Sequence, residues 1–136
     1  MNIESLIKES VLKAINALYN SKIDIESIQI QMTRKEFEGD LTVVVFPFTR
    51  FSKKSPEQTG NELGEFLIEN ISVISKFNIV KGFLNLVISS DYWVNFLNSV
   101  LADNNYGIKE SNPESPLAMI EYSSPNTNKP LHLGHI

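Results

Sequence analysis

Four short stretches, SIQIQM (27–32), DLTVVVF (40–46), VISKFNIV (73–80) and FLNLVI (83–88), carry apolar residues in the manner of half-buried strands, and they come in two adjacent pairs. That pairing constrains the fold more than any other feature. Strands joined by short links pair antiparallel, whereas each parallel pair would need a crossover of a dozen or more residues. In the first pair, Ile28, Ile30 and Met32 alternate, as do Leu41, Val43 and Val45. Gly39 and Asp40 make the turn into the second strand, and Pro47 limits it. In the second pair the link is Lys81–Gly82, where glycine can take a backbone angle closed to other residues, so a hairpin or sharply bent pair is expected.

Helical spacing fills the gaps between the pairs. Ile3, Leu6, Ile7, Val11, Ala14, Ile15, Leu18 and Tyr19 form an apolar stripe, with Asn2 placed to cap it. SPEQ opens a second helix, with Ser55 as cap, Pro56 at the first position and Gln58 reaching back, and Leu63, Phe66, Leu67 and Ile71 supply its buried face. A last helix, capped by Ser89 or Ser90, carries Trp93, Phe96, Leu97, Val100 and Leu101 and is terminated by DNNYG. The order αββαββα implies an α+β fold, a small, mostly antiparallel sheet of about four strands packed against helices.

With 136 residues the chain is about the size of one domain, and with no cysteine it uses no disulfides. It has no run of 18 apolar residues, so no membrane partner is expected and the cytoplasm is the expected compartment. The net charge of −4 argues against non-specific nucleic-acid binding, which depends on many phosphate contacts. Any such contact must be local. Residues 34–54 hold five cations against three anions and 73–90 hold Lys76 and Lys81 against none, while 55–72 carry four glutamates and no cation. From 102 to 116 the chain is polar and contains Pro113 and Pro116, the composition of a linker. The expected organisation is an N-terminal domain over 1–101, a linker over 102–116 and the start of another domain over 117–136. That last piece opens with LAMIEY, which reads as a buried strand of a parallel sheet.

The final stretch, SSPNTNKPLHLGHI, is chemically dense. His132 and His135 share a helix face, and Gly134 between them lets a flat ligand approach the backbone. Together with Lys129 and the free N–H groups of a helix start, they suit the charge that develops when a nucleoside triphosphate is attacked at its α-phosphorus. A metal site is not expected, since zinc takes three or four ligands and these are the chain's only two histidines.

SPNTNKPLHLGH resembles the first signature of the class I aminoacyl-tRNA synthetases, and its SPN..KP.H.GH form resembles the arginyl-tRNA synthetases. Gly39–Asp40, SPEQTGNELG and VKGFLNLVIS resemble markers of the extra N-terminal domain of that family. One departure is visible: many members have Gly-Pro-Gly-Phe-Ile-Asn where this chain has IVKGFLN, so Lys81 stands in place of a proline.

The resemblance implies roles position by position. Glu121, Ser124 and Asn126 match arginine-binding positions, His132, Gly134 and His135 match the ATP site with the two histidines catalytic, and Lys129 matches a catalytic lysine held to compensate where the family's second signature, a mobile lysine loop, is degenerate. In the N-terminal domain, which in the family clasps the tRNA at its D-loop, Phe83 and Asn85 match residues that meet an unstacked base, and Lys81 lies beside them. On a strand, 83 and 85 face the same way, and an amide next to the aromatic ring implies an exposed face. The chain is therefore expected to be an N-terminal fragment ending within the first strand and half-motif of a truncated Rossmann-like catalytic domain, inactive alone. The full-length parent would join arginine to its tRNA through an arginyl-adenylate, with ATP and Mg²⁺; the fragment itself needs no cofactor. Two alternatives are a nucleotidyltransferase, which also uses an HxGH pair, and a free-standing nucleic-acid-binding or interaction domain.

Overall fold

Helix α1 (Ile3–Tyr19) buries Ile7, Val11, Ala14 and Ile15, which recur every three or four residues, and leaves Leu18 exposed at its end. Asn20 ends the helix in the left-handed conformation (φ 49°), its N–H bonded to the Asn16 carbonyl at 2.9 Å. The computed structural model describes residues 3–110, 112–120, 128, 130 and 133, so the expected cap Asn2 lies outside the described residues.

The first strand is shorter than its sequence pattern. Asp24 caps a 3-10 turn over Ile25–Ser27, its carboxylate accepting from the Glu26 N–H at 3.1 Å, so Ile28 is buried but precedes strand β1 (Ile30–Met32). Strand β2 (Leu41–Val44) stops where a 3-10 turn begins at Phe46, with Pro47 in the position proline favours. A one-turn helix α2 (Thr49–Ser52) follows, which the sequence pattern did not suggest. Helix α3 (Pro56–Asn70) starts with the expected capping box: Ser55 Oγ accepts from the Gln58 N–H at 3.2 Å and Gln58 Oε1 accepts from the Ser55 N–H at 3.3 Å. Leu63 and Leu67 are buried, with Phe66 and Ile71 half-buried beside them.

Strands β3 (Ile74–Val80) and β4 (Phe83–Ile88) form a hairpin closed by Lys81 and Gly82 alone, with φ of 49° and 78°. Positive φ at both turn positions is the two-residue geometry that matches strand twist. A proline, fixed near −65°, could not adopt the Lys81 conformation. A Cβ on Gly82 would stand 2.7 Å from Phe46 Cζ, so a side chain there would also have to push that exposed ring aside. The sheet order is β1-β2-β4-β3, antiparallel throughout, which makes the fold α+β.

Helices α1 and α3 cover one face of the sheet. Leu41, Val43, Leu84 and Leu86 lie in that core together with Val45 and Phe48, and α3 presses close enough that a Cβ on Gly64 would meet the Phe77 ring at 2.5 Å. Met32, read as part of an apolar face, is 74% exposed at the end of the edge strand β1. Helix α4 (Ser90–Ala102), capped by Ser89, carries its expected apolar stripe uncovered: Trp93 is 44% and Leu101 72% exposed, while Tyr92 packs partly against the core.

The chain divides into two compact units, Met1–Asp103 and Asn104–Ile136. In the second, the described part of the expected strand LAMIEY, Leu117–Ile120, is not a strand and is exposed. A buried strand needs neighbours to take its backbone hydrogen bonds, and none among the described residues pairs with it. Among the described residues no helix is long and apolar enough to cross a membrane, and no three or more acidic, histidine or cysteine side chains are grouped to hold a metal.

Candidate nucleic-acid interface

The sheet face turned away from α1 and α3 carries the residues that interrupt the apolar strands. In register across all four strands stand Gln31 (β1), Thr42 (β2), Asn85 (β4) and Asn78 (β3). One step further along, Val44, Phe83 and Val80 form a second row. Strand alternation therefore does place Phe83 and Asn85 on one face.

Over this face lies the segment between β1 and β2. It is tied at its ends by the Thr33 N–H to the Asp40 carbonyl (3.1 Å), and at its middle by Asn78 Nδ2 to the Glu38 carbonyl (2.6 Å). Gly39 at φ 145° lets it pass close to the sheet, since a Cβ there would stand 3.1 Å from Asn85 Cβ. Between this segment and the strands is a small cavity of about 110 Å³, lined by Gln31, Arg34, Phe37, Lys81, Phe83 and Asn85, with Thr42 and Val80 completing its wall. At roughly 30 Å³ per water molecule, that is room for a few waters or for the edge of one planar ring.

The side chains around the cavity differ in accessibility. Phe83 is half-buried, its ring edge-on to Phe46 with centroids 5.7 Å apart, so it neither sinks into the core nor stands free. Arg34 and Lys81 are exposed at the rim and Phe37 is partly open. Asn85 differs from its sequence expectation: it is only 2% exposed, forming the cavity floor instead of an open surface. Its Oδ1 accepts from Thr42 Oγ1 at 2.6 Å and its Nδ2 donates to Asn78 Oδ1 at 2.9 Å. Neighbouring strands supply both partners, and a buried amide is tolerated only when so satisfied.

Gln31, Arg34 and Phe37 were not singled out from the sequence. Their signal was present in part, because Gln31 interrupts an apolar strand and Arg34 belongs to a net-basic stretch. What the sequence lacks is the fold of the 33–40 segment over the sheet. The arrangement offers aromatic edges, an amide floor and two cations at the mouth, the chemistry by which unstacked bases of single-stranded loops are held.

A second, larger hollow between α1 and α3 has different chemistry. Tyr19 donates to Glu62 Oε2 at 2.8 Å, and Lys54 forms an ion pair with Glu62 Oε1. Bonding to Lys54 first, and to Tyr19, holds the Glu62 carboxyl below the usual range, while burial, then the bond to Glu62 and its charge, push the Tyr19 phenol up. Glu65 and Glu69 also line it, which disfavours a polyanion there.

Glu121, Ser124, Asn126, Lys129, His132, Gly134 and His135 all lie outside the described residues.

Residues 5–88 match the protein family described as the arginyl tRNA synthetase N terminal domain. Over its whole length the chain is 55% identical to the arginine–tRNA ligase of Phocaeicola vulgatus and 51% identical to that of Porphyromonas gingivalis, covering 23% of each. The corresponding ligase of Flavobacterium psychrophilum is 41% identical, with 24% of its length covered. The chain thus spans about a quarter of the length of the curated relatives it matches. Its fold is like that of part of Thermus thermophilus arginyl-tRNA synthetase, with a TM-score of 0.58 at 20% identity over 98% of this chain and 21% of that one. The family match covers the sheet, the cavity and helices α1 to α3, and the chain belongs to the arginyl-tRNA synthetase family, with residues 5–88 forming its N-terminal domain.

Proposed function

We propose that this domain recognises tRNA for an arginine–tRNA ligase, receiving one unstacked base of the D-loop in the cavity on the open sheet face. The observation that carries the reading is the joint placement of Phe83, Asn85, Arg34 and Lys81 around one cavity in a chain that is otherwise net negative. In such a site Phe83 offers its ring to the base, Asn85 a hydrogen bond to its edge, and Arg34 and Lys81 their charge to the flanking phosphates. Residues after 116 begin the catalytic domain in this reading, behind a linker over 102–116. There Glu121, Ser124 and Asn126 hold arginine, while Lys129, His132, Gly134 and His135 serve ATP, with Mg²⁺ as its counter-ion. The histidines and Lys129 stabilise negative charge growing on the α-phosphoryl group as the arginine carboxylate displaces pyrophosphate.

The test compares two groups of variants in the full-length ligase. Phe83→Ala should weaken tRNA binding by about 1–3 kcal/mol, and Arg34→Ala should lower the slope of log affinity against log salt by about one. Neither should slow adenylate formation once tRNA is saturating. His132→Ala or His135→Ala should do the reverse, slowing adenylate formation by about 2–4 kcal/mol in the barrier with tRNA affinity retained. Unchanged tRNA affinity and salt slope in both Phe83→Ala and Arg34→Ala would remove the cavity from tRNA recognition.

A further inference from the structure

The polar row across the sheet is bonded in a single direction, and that direction can be derived from one end. The Glu38 carbonyl can only accept, so the Asn78 atom 2.6 Å from it is Nδ2. The other end of that amide, Oδ1, can only accept as well, so the Asn85 atom 2.9 Å away is Nδ2. Asn85 Oδ1 is then left facing Thr42 Oγ1 at 2.6 Å, and the Thr42 hydroxyl must donate to it. Having spent its one proton, Thr42 accepts from Thr33 Oγ1 at 3.0 Å. The order Thr33 to Thr42 to Asn85 to Asn78 to the Glu38 carbonyl follows from the backbone oxygen, independently of how either amide was placed.

Turning the Asn85 amide over would set two oxygens against each other at Asn78, whereas at the other end the Thr42 hydroxyl would accept from the turned N–H₂ group and donate to Thr33 Oγ1 instead, so the lock lies at Asn78. At 2% exposure no bulk water is available to absorb that change. The bonds in the row use one of the two Nδ2 protons and one of the two Oδ1 lone-pair sites, leaving one of each for a ligand.

We propose that Asn78 is a positioning residue for base discrimination: held by the Glu38 carbonyl, it fixes the donor and acceptor order that Asn85 shows to the base in the cavity. This rests on the tRNA-binding reading of that cavity. A base held between Phe83 and the rim cations meets the amide at one place, so only an edge with its acceptor opposite Nδ2 and its donor opposite Oδ1 is matched. If the amide were free to turn, it would accept either order. Asn78 thereby converts a promiscuous amide into a selective one, and it does so without lining the cavity.

The experiment uses the full-length ligase and tRNAs in which each D-loop base is changed, one at a time, to the other three. At one position the wild-type enzyme should discriminate by about five- to a hundredfold, the range for a well-placed pair of hydrogen bonds to a base edge. Asn78→Ser, whose hydroxyl can face either end of the Asn85 amide, should reduce that discrimination to about threefold or less, chiefly by raising affinity for mismatched tRNAs relative to the matched one, while Thr42→Val, which leaves Asn78 in place, should keep it. Should Asn78→Ser fail to fold, Asn78→Ala also releases the amide and carries the same expectation. Equal weakening of every tRNA by these Asn78 variants, or full discrimination kept in them, would show that the row only supports the fold and would overturn the proposal. Failure of the underlying reading looks different: wild type would discriminate at no D-loop base, and Phe83→Ala would leave affinity unchanged.

Discussion

Replacing Asn85 by alanine removes the central member of a hydrogen-bond row that joins three strands, and the cost follows from what is left behind. Asn78 Oδ1 loses its donor, while the Thr42 hydroxyl keeps a partner by donating to Thr33 Oγ1 at 3.0 Å. An unsatisfied buried group costs about 1–3 kcal/mol. The cavity beside it holds about 110 Å³, enough for water to enter once the amide is gone and satisfy part of the need. The expected loss is therefore near the lower end, about 1–2 kcal/mol. Urea denaturation of the chain followed by far-ultraviolet circular dichroism measures it, with the slope against urea compared between variants. Thr42→Val alone should cost about 1–2 kcal/mol, and the double variant should cost clearly less than the sum, since both changes break one bond. A loss for Asn85→Ala under about 0.5 kcal/mol, or strict additivity with Thr42→Val, would refute the reasoning, because the row would then carry no net stability.

Gly82→Ala should destabilise the chain by about 2–4 kcal/mol, combining a disfavoured positive φ with a methyl group 2.7 Å from Phe46, and thermal melting would show it. Glu62 has its pKa lowered on folding, so its contribution is present above the unfolded value and is lost as pH falls through the folded one; Tyr19, raised from 10.0, contributes below pH 10 and loses that stability as pH rises beyond it. Stability measured against pH should accordingly fall less at the acid end in Glu62→Gln and less at the alkaline end in Tyr19→Phe than in wild type, and parallel curves would contradict the pairing. Trp93, the only tryptophan and 44% exposed, should emit as a partly hydrated indole and be readily quenched by iodide in the isolated chain, whereas a blue-shifted, protected emission would mean that the α4 stripe is covered.

What was legible in the sequence was what neighbouring residues decide. The Ser55–Gln58 capping box, the Lys81–Gly82 hairpin and the apolar stripe of α1 depend on residues within a turn or two of each other, and each is in the structure. The one-turn helix α2 was not legible, because a proline before a four-residue segment reads as a strand terminator whether or not a helix follows. Burial of Asn85 was not legible either. Its partner Thr42 is 43 residues away and the Asn78 carboxamide is anchored to Glu38, 40 residues away, so its satisfaction exists only once the β2·β4 and β3·β4 registers are set. A polar residue in FLNLVI looks the same from the sequence whether it faces solvent or a hydrogen-bond row. The clue was collective: Gln31, Thr42, Asn78 and Asn85 each interrupt an apolar strand, and pairing the strands brings those interruptions into one line.

The most direct test of tRNA recognition by the sheet face is a covalent one. Phe83 replaced by p-benzoylphenylalanine in the full-length ligase, irradiated with tRNA for arginine and mapped by primer extension, should give an adduct at one D-loop nucleotide. Arg34→Ala should lower its yield at moderate salt, because fewer phosphates are held at the rim. An adduct confined to the anticodon or acceptor stem, or none at tRNA concentrations that saturate the enzyme, would contradict the assignment of this cavity to the tRNA.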